Sequence, residues 1–246
     1  MIGVQKGGTN ALFHYLSQHP NIEPAKTKEP CFFSNYHHKG VRWYHQFFPL
    51  RNSANPNIVT FEASINYISY KQSAERIYNY NQNMKLVLIL RDPIERAFSQ
   101  WNMCRKWTKY GPHPESAENR DFHEIINYEI DLINKGIKSS QPPLSYIRRG
   151  LYLEQIENYL KYFPRRQIFI TENKKLKKRR VEVLNEIINF LELPMFEWDK
   201  KNLENQREGD YEGMKIDDET IKILSAFYWP HNEKLFDFLG EEYDWK

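Results

Sequence analysis

Short apolar runs alternate along this chain with longer segments whose apolar residues recur every three or four positions. That is the pattern of an α/β protein with a mainly parallel central sheet flanked by helices. Met1–Gln5 predicts a first strand, and a helix follows from about Thr9 to Gln18 with Ala11, Leu12, Tyr15 and Leu16 on one face. Asn57–Ile65 predicts a second strand. Lys85–Leu90 predicts the clearest one, a continuous apolar run of the buried parallel type. The residues after it, Arg91-Asp92-Pro93-Ile94-Glu95, open a helix: Asp92 can cap it, Pro93 suits its first position and Glu95 completes a capping box. Ala97, Phe98, Trp101 and Cys104 are its inward face.

Further helices are predicted at about Asp121 to Asn134, with Gly136 as a stop, and at Glu154–Tyr162, Val181–Leu191, Glu219–Phe227 and around Glu233–Leu239, with a strand at Gln167–Thr171. Trp107–Arg120 is polar and turn-rich and reads as a mobile surface loop. With no internal repeat and no Gly/Ser linker, residues 1–246 read as one domain.

Composition narrows the classes. The chain has 246 residues, 40% hydrophobic and 15% aromatic, enough for one sizeable core. Lys and Arg number 35 against 32 Asp and Glu, a net charge of +3. A general nucleic-acid binder is more lopsided, so none is expected as a partner, and any anion affinity must come from local placement. No apolar run is long enough for a membrane span and no leader pattern precedes Met1-Ile2, so the chain reads as soluble and cytoplasmic, or as a trimmed piece. Two cysteines, Cys31 and Cys104, are too few for a disulfide framework and read as free thiols. The histidines are scattered, with His37-His38 in a polar stretch, so no metal is expected.

The chemistry begins at Lys6-Gly7-Gly8-Thr9-Asn10, between the first strand and the first helix. Glycines let backbone N–H groups approach an anion, a helix N-terminus adds positive potential and Lys6 adds a point charge. Thr9 and Asn10 can donate as well. The lysine precedes the glycines, unlike the nucleotide-triphosphatase loop, and a plain strand–helix turn stays open for this motif alone. Arg91 follows the best strand, where open α/β sheets bind ligands, and Ser99 lies two turns further on. The bland alternatives are an ion pair of Arg91 with Glu95 or Asp92, and a solvated helix serine at Ser99. Two anion-suited elements suggest a ligand with two separated phosphates.

GVQKGGTNAL, KEPCFF, RDPIERAFSQW and NEKLFDFLGEEYDW, in that order, resemble a sulfotransferase of the branch containing heparan sulfate glucosaminyl sulfotransferases and their bacterial relatives. The resemblance implies a P-loop-like nucleotide-binding sulfotransferase fold and 3'-phosphoadenosine 5'-phosphosulfate as donor. It also implies that Lys6, Gly7, Gly8, Thr9 and Asn10 hold the 5'-phosphosulfate while Arg91 and Ser99 hold the 3'-phosphate. Arg207 and Lys215 lie where the family has a basic loop over the nucleotide. The family's catalytic base is the glutamate before paired phenylalanines, which Glu29 matches; on the residues alone Glu29 reads equally as a surface partner of Lys26 or Lys28. Lys6 would stabilise the leaving phosphate oxygen.

Lys28, Glu62, Ser64 and Tyr67 are candidates for acceptor contacts, though a partly buried strand also explains the last three. FEASINY resembles the family's Glu-Lys-x-x-x-Tyr strand with Ala63 in place of the lysine, and Cys31 stands where a histidine is frequent. The family's paired C-terminal cysteines are absent. The expected acceptor is a hydroxyl, carbohydrate first, with a small-molecule, lipid or natural-product alcohol or a tyrosine as alternatives. A nucleotide kinase and a non-catalytic nucleotide-binding module remain open, and the oligomeric state is undetermined. Trp43, Tyr44, Phe47 and Phe48 are expected in the core.

Overall fold

A computed structural model of the chain describes residues 1–50, 57–106, 118–137, 145–203 and 214–245. In chain order its elements are α1 Thr9–Leu16, β1 Ile22–Pro24, α2 Gly40–His45, β2 Val59–Phe61, α3 Lys71–Tyr80, β3 Leu86–Leu90 and α4 Pro93–Arg105. There follow α5 Phe122–Asn134, α6 Tyr152–Leu160, β4 Ile168–Glu172, α7 Asn173–Lys178, α8 Arg180–Phe190 and α9 Asp218–Leu239. Packing groups them into two compact units. One comprises 1–90 with 155–207 and the other 91–154 with 208–246.

The first unit holds the strands. β3 is buried at all five positions and pairs in parallel with β4, Leu86 opposite Ile168 and Leu90 opposite Glu172. On its other side runs the opening segment: Ile2 N–H donates to the Val87 carbonyl, Ile89 N–H to Gly3 and Val4 N–H to Ile89, each at 3.0 Å. Only Gly3 forms a formal bridge, with Leu88, so the predicted first strand is shorter than Met1–Gln5. The chain leaves extended geometry at Lys6, whose φ is +68°. The predicted Asn57–Ile65 strand shrinks to β2, which pairs in parallel with β1; Ser64 N–H then reaches the Met1 carbonyl at 3.2 Å. Helices α1, α7 and α8 cover the sheet with Leu12, Tyr15, Leu176, Val183, Leu184 and Ile187 in one core cluster. Each such side chain contributes about 1.5–3 kcal/mol by leaving water.

The second unit packs α4, α5 and α9 through Ala97, Phe98, Trp101, Ile125, Ile126, Leu224 and Tyr228. Asp92 caps α4, accepting from Ile94 N–H at 2.8 Å and Glu95 N–H at 3.1 Å. Asp121 caps α5, and Gly136 beyond it has φ +70°. The two helices expected at Glu219–Phe227 and Glu233–Leu239 are one, α9, with Pro230 inside it. Its buried Leu224, Tyr228 and Leu235 form one stripe on both sides of the proline, and burying them outweighs the roughly 3 kcal/mol that an interior proline costs. Of the aromatic residues expected in the core, Tyr44 is buried, while Trp43, Phe47 and Phe48 are half-buried. Both cysteines are free.

Candidate functional site

The site grows from the end of the opening segment. Gly7 N–H closes a turn onto the Val4 carbonyl at 3.0 Å. A Cβ at Gly7 would lie 2.6 Å from the Ile89 carbonyl oxygen, so the turn packs against β3 only because residue 7 has no side chain. Gly8, at φ +101°, starts α1 with no side-chain cap and no acidic residue in the first turn. The first N–H groups of a helix have no partner within it. Four other helices fill that place with a carboxylate: Asp92, Asp121, Glu172 and Asp217 cap α4, α5, α7 and α9. The start of α1 offers only donors and the positive end of the helix dipole. Thr9 is buried, Asn10 exposed and Lys6 half-buried in the same turn.

One residue that sequence reasoning missed holds this turn. Asn173 Nδ2 donates to the Gly7 carbonyl at 2.8 Å, and Asn173 is buried. A Cβ on Gly8 would come within 2.6 Å of that nitrogen. The available signal was position, since Asn173 follows the predicted strand Gln167–Thr171 at its carboxyl end.

Glu29 lies on the same unit, in a segment of unusual backbone: φ is +62° at Glu29 and +50° at Cys31. Its carboxylate takes a bond from Lys28 Nζ at 2.9 Å, with both side chains partly exposed. Three of the sequence-assigned acceptor residues lie beneath this segment. Ser64 Oγ accepts from Cys31 N–H at 3.0 Å and donates to Glu62 Oε2 at 2.8 Å. Tyr67 Oη accepts from Phe33 N–H at 3.3 Å, and Tyr44 Oη donates to Glu62 Oε1 at 3.4 Å. Glu62, Ser64 and Tyr67 are all buried, and burial raises the Glu62 carboxyl above its ordinary range. What this network does is fix the backbone that carries Glu29 and Cys31. Burial, and then the nearby Glu29 charge, push the Cys31 thiol up to about 11, so it is not a thiolate. Ala63 is wholly buried.

In the second unit, Arg91 donates from Nε and Nη2 to Glu95 Oε2 at 3.2 and 3.1 Å, the ion pair that the sequence left open, and Tyr152 Oη donates to the Arg91 carbonyl at 2.7 Å. Glu95 therefore serves Arg91. Ser99 is 2% exposed, so the solvated reading of it is corrected: α4 turns that face inward. Beside it Arg96 is fully buried, donating to Gln100 Oε1 at 2.7 Å and to the Tyr146 carbonyl. Glu129 accepts from Tyr146 N–H at 2.8 Å and Ile147 N–H at 2.6 Å, and burial pushes its carboxyl up to about 7. Lys215 is exposed, and Arg207 lies outside the described residues, as does 107–117 of the predicted loop. Among the described residues no group of three or more His, Cys, Asp or Glu could hold a metal ion, and no helix is long and apolar enough to cross a membrane.

The family described as Sulfotransferase domain matches residues 1–219. The chain is 24% identical to the membrane-associated sulfotransferase kil1 of Dictyostelium discoideum, across 100% of this chain and 66% of that protein. It is 28% identical to heparan sulfate glucosamine 3-O-sulfotransferase 3B1 of Mus musculus, across 100% of this chain and 64% of that protein. It thus spans about two thirds of the length of these relatives. A solved sulfotransferase from Alicyclobacillus acidocaldarius superposes with a TM-score of 0.78 at 24% identity, covering 99% of this chain and 95% of that one, and shares its fold.

Proposed function

Because the chain belongs to the sulfotransferase domain family, we propose that it moves the sulfuryl group of 3'-phosphoadenosine 5'-phosphosulfate to an acceptor hydroxyl, a glycan hydroxyl first. The observation that carries this reading is the turn Lys6–Asn10: a lysine, one glycine against β3, a second against Asn173, and a helix start with no carboxylate on it. That arrangement suits a phosphosulfate. Arg91 and Ser99 are assigned the 3'-phosphate, with Arg91 exchanging Glu95 for it. The names of the heparan sulfate relatives support a glycan acceptor.

In the reaction the acceptor oxygen forms a bond to sulfur as the bond from sulfur to the 5'-phosphate oxygen breaks. Adenosine 3',5'-bisphosphate leaves. Glu29 takes the acceptor proton, a step worth about 10²–10⁴ in rate. Lys28 Nζ, 2.9 Å from Glu29 Oε1, orients that carboxylate in the resting state. Lys6 meets the charge that develops on the leaving phosphate oxygen.

The test is calorimetry with adenosine 3',5'-bisphosphate and ATP, followed by sulfate transfer from labelled donor to a panel of acceptors. Tight bisphosphate binding is expected; ATP binding without it would refute the reading. Glu29→Gln should keep bisphosphate affinity and lose about 10²–10⁴ in turnover. Lys6→Ala should lose both.

A further inference from the structure

A second positive feature stands beside the turn. Six of the seven residues Lys174–Arg180 are cationic, in a chain whose net charge is only +3. They occupy α7 and the start of α8, and the first residue of α7 is Asn173, which is bonded to Gly7. Leu176 joins Leu12 and Tyr15 of α1 in one core cluster, and the Arg180 guanidinium lies 5.3 Å from the centre of the Tyr15 ring. The basic segment therefore flanks the helix whose start forms the anion turn. α1 itself carries no acidic residue in its first turn, and Glu172 at the base of α7 is buried as its cap. Lys175 pairs with Glu186 at 3.7 Å and Arg179 with Glu182. Lys177 and Lys178 are exposed.

Distance decides what these charges can do. A six-residue helix is about 9 Å long, so every cation of α7 stands within roughly 20 Å of the Gly7 carbonyl. That is inside the Debye length at 0.01 M salt, about 30 Å, and largely outside the roughly 8 Å at 0.15 M. Charges at such range change arrival more than residence, because steering acts on the encounter.

Resting on the donor reading above, we propose that Lys174–Arg180 is a capture face that draws the multiply anionic donor to the Lys6–Asn10 turn. It raises the association rate and leaves the dissociation rate of the seated nucleotide alone.

The experiment measures association and dissociation of adenosine 3',5'-bisphosphate by stopped flow at 0.01 M and 0.5 M salt. Wild type is compared with a triple variant, Lys174→Gln, Lys177→Gln and Lys178→Gln, whose melting temperature verifies folding. Expected is an association rate lowered by about 10-fold at low salt, a gap of less than roughly twofold at high salt, and an unchanged dissociation rate. Equal association rates at low salt would overturn the proposal. So would faster dissociation that persists at high salt, because the lysines would then touch the bound nucleotide. Unchanged association together with lost retention on vesicles of anionic phospholipid would overturn it in favour of a membrane surface. If wild type binds no bisphosphate, the donor reading itself fails and takes the proposal with it. Normal affinity with unchanged association fails the proposal alone.

Discussion

Asn173 offers the sharpest separation of scaffold from site. Its Nδ2 is 2.8 Å from the Gly7 carbonyl, and both residues are buried. Asn173→Ala removes the donor and leaves that carbonyl unsatisfied, at about 1–3 kcal/mol. At roughly 2–4 °C per kcal/mol for a chain of this size, the melting temperature should fall by about 2–12 °C. Asn173→Asp removes the same bond and adds a negative charge beside the turn. Taking a separation of roughly 8 Å from a bound anion and an effective dielectric constant of about 20, Coulomb's law gives about 2 kcal/mol of repulsion. The aspartate variant should melt no higher than the alanine variant, because its carboxylate faces the Gly7 carbonyl oxygen, and its bisphosphate affinity should be about 30-fold weaker, a gap that narrows with salt. Differential scanning calorimetry and titration calorimetry read the two quantities. An aspartate variant that binds no worse than the alanine variant would show that no anion sits at this turn, and the reasoning would fail.

Three shorter expectations follow. Arg91→Ala should weaken adenosine 3',5'-bisphosphate by about 1.5–3 kcal/mol and adenosine 5'-phosphosulfate very little, since the second lacks the 3'-phosphate; equal losses in a binding titration would deny Arg91 that partner. Glu129, raised in the fold from 4.5 to about 7, is favoured there in its neutral form. Its contribution is complete below about pH 4.5 and is lost as pH rises through about 7, a swing of about 3 kcal/mol, so wild type should lose more melting temperature than Glu129→Gln between pH 4.5 and 8. Parallel melting profiles would contradict this. Thiol counting on unfolded, non-reduced protein should find both Cys31 and Cys104 reactive, and finding neither would mean that they are bridged.

Much of the scaffold could be read from local patterns. The run Lys85–Leu90 became β3 to within a residue, and Asp92-Pro93 opened α4 as its capping chemistry required. β1 escaped because Ile22–Pro24 is three residues with a glutamate and a proline among them, too short for any periodicity. α7 escaped because Leu176 is the one apolar residue in Asn173–Lys178. The turn was legible because its glycines, lysine and helix start are contiguous. Its anchor was not, because Asn173 meets Gly7 across 166 positions of chain. Glu62 and Ser64 are acceptor candidates through the resemblance of FEASINY to the family's strand, with a partly buried strand as the alternative. Burial beneath the Glu29 segment depends on Tyr44, Tyr67 and Cys31, which only folding brings together. Arg96 escaped for the same reason, since an arginine in an amphipathic helix reads as a surface residue until its partners, Gln100 and Tyr146, are known.

The bare start of α1 has a consequence for the resting protein. A serine or aspartate cap is worth roughly a few tenths of a kcal/mol more to a helix than a glycine, and at Gly8 the chain forgoes it. The first fold is in that sense unfinished, a helix kept slightly short of its own best stability. Under the proposed function, a bound anion would supply the missing acceptors and complete the secondary structure. Amide hydrogen exchange at residues 9 to 11 should therefore slow when adenosine 3',5'-bisphosphate is added.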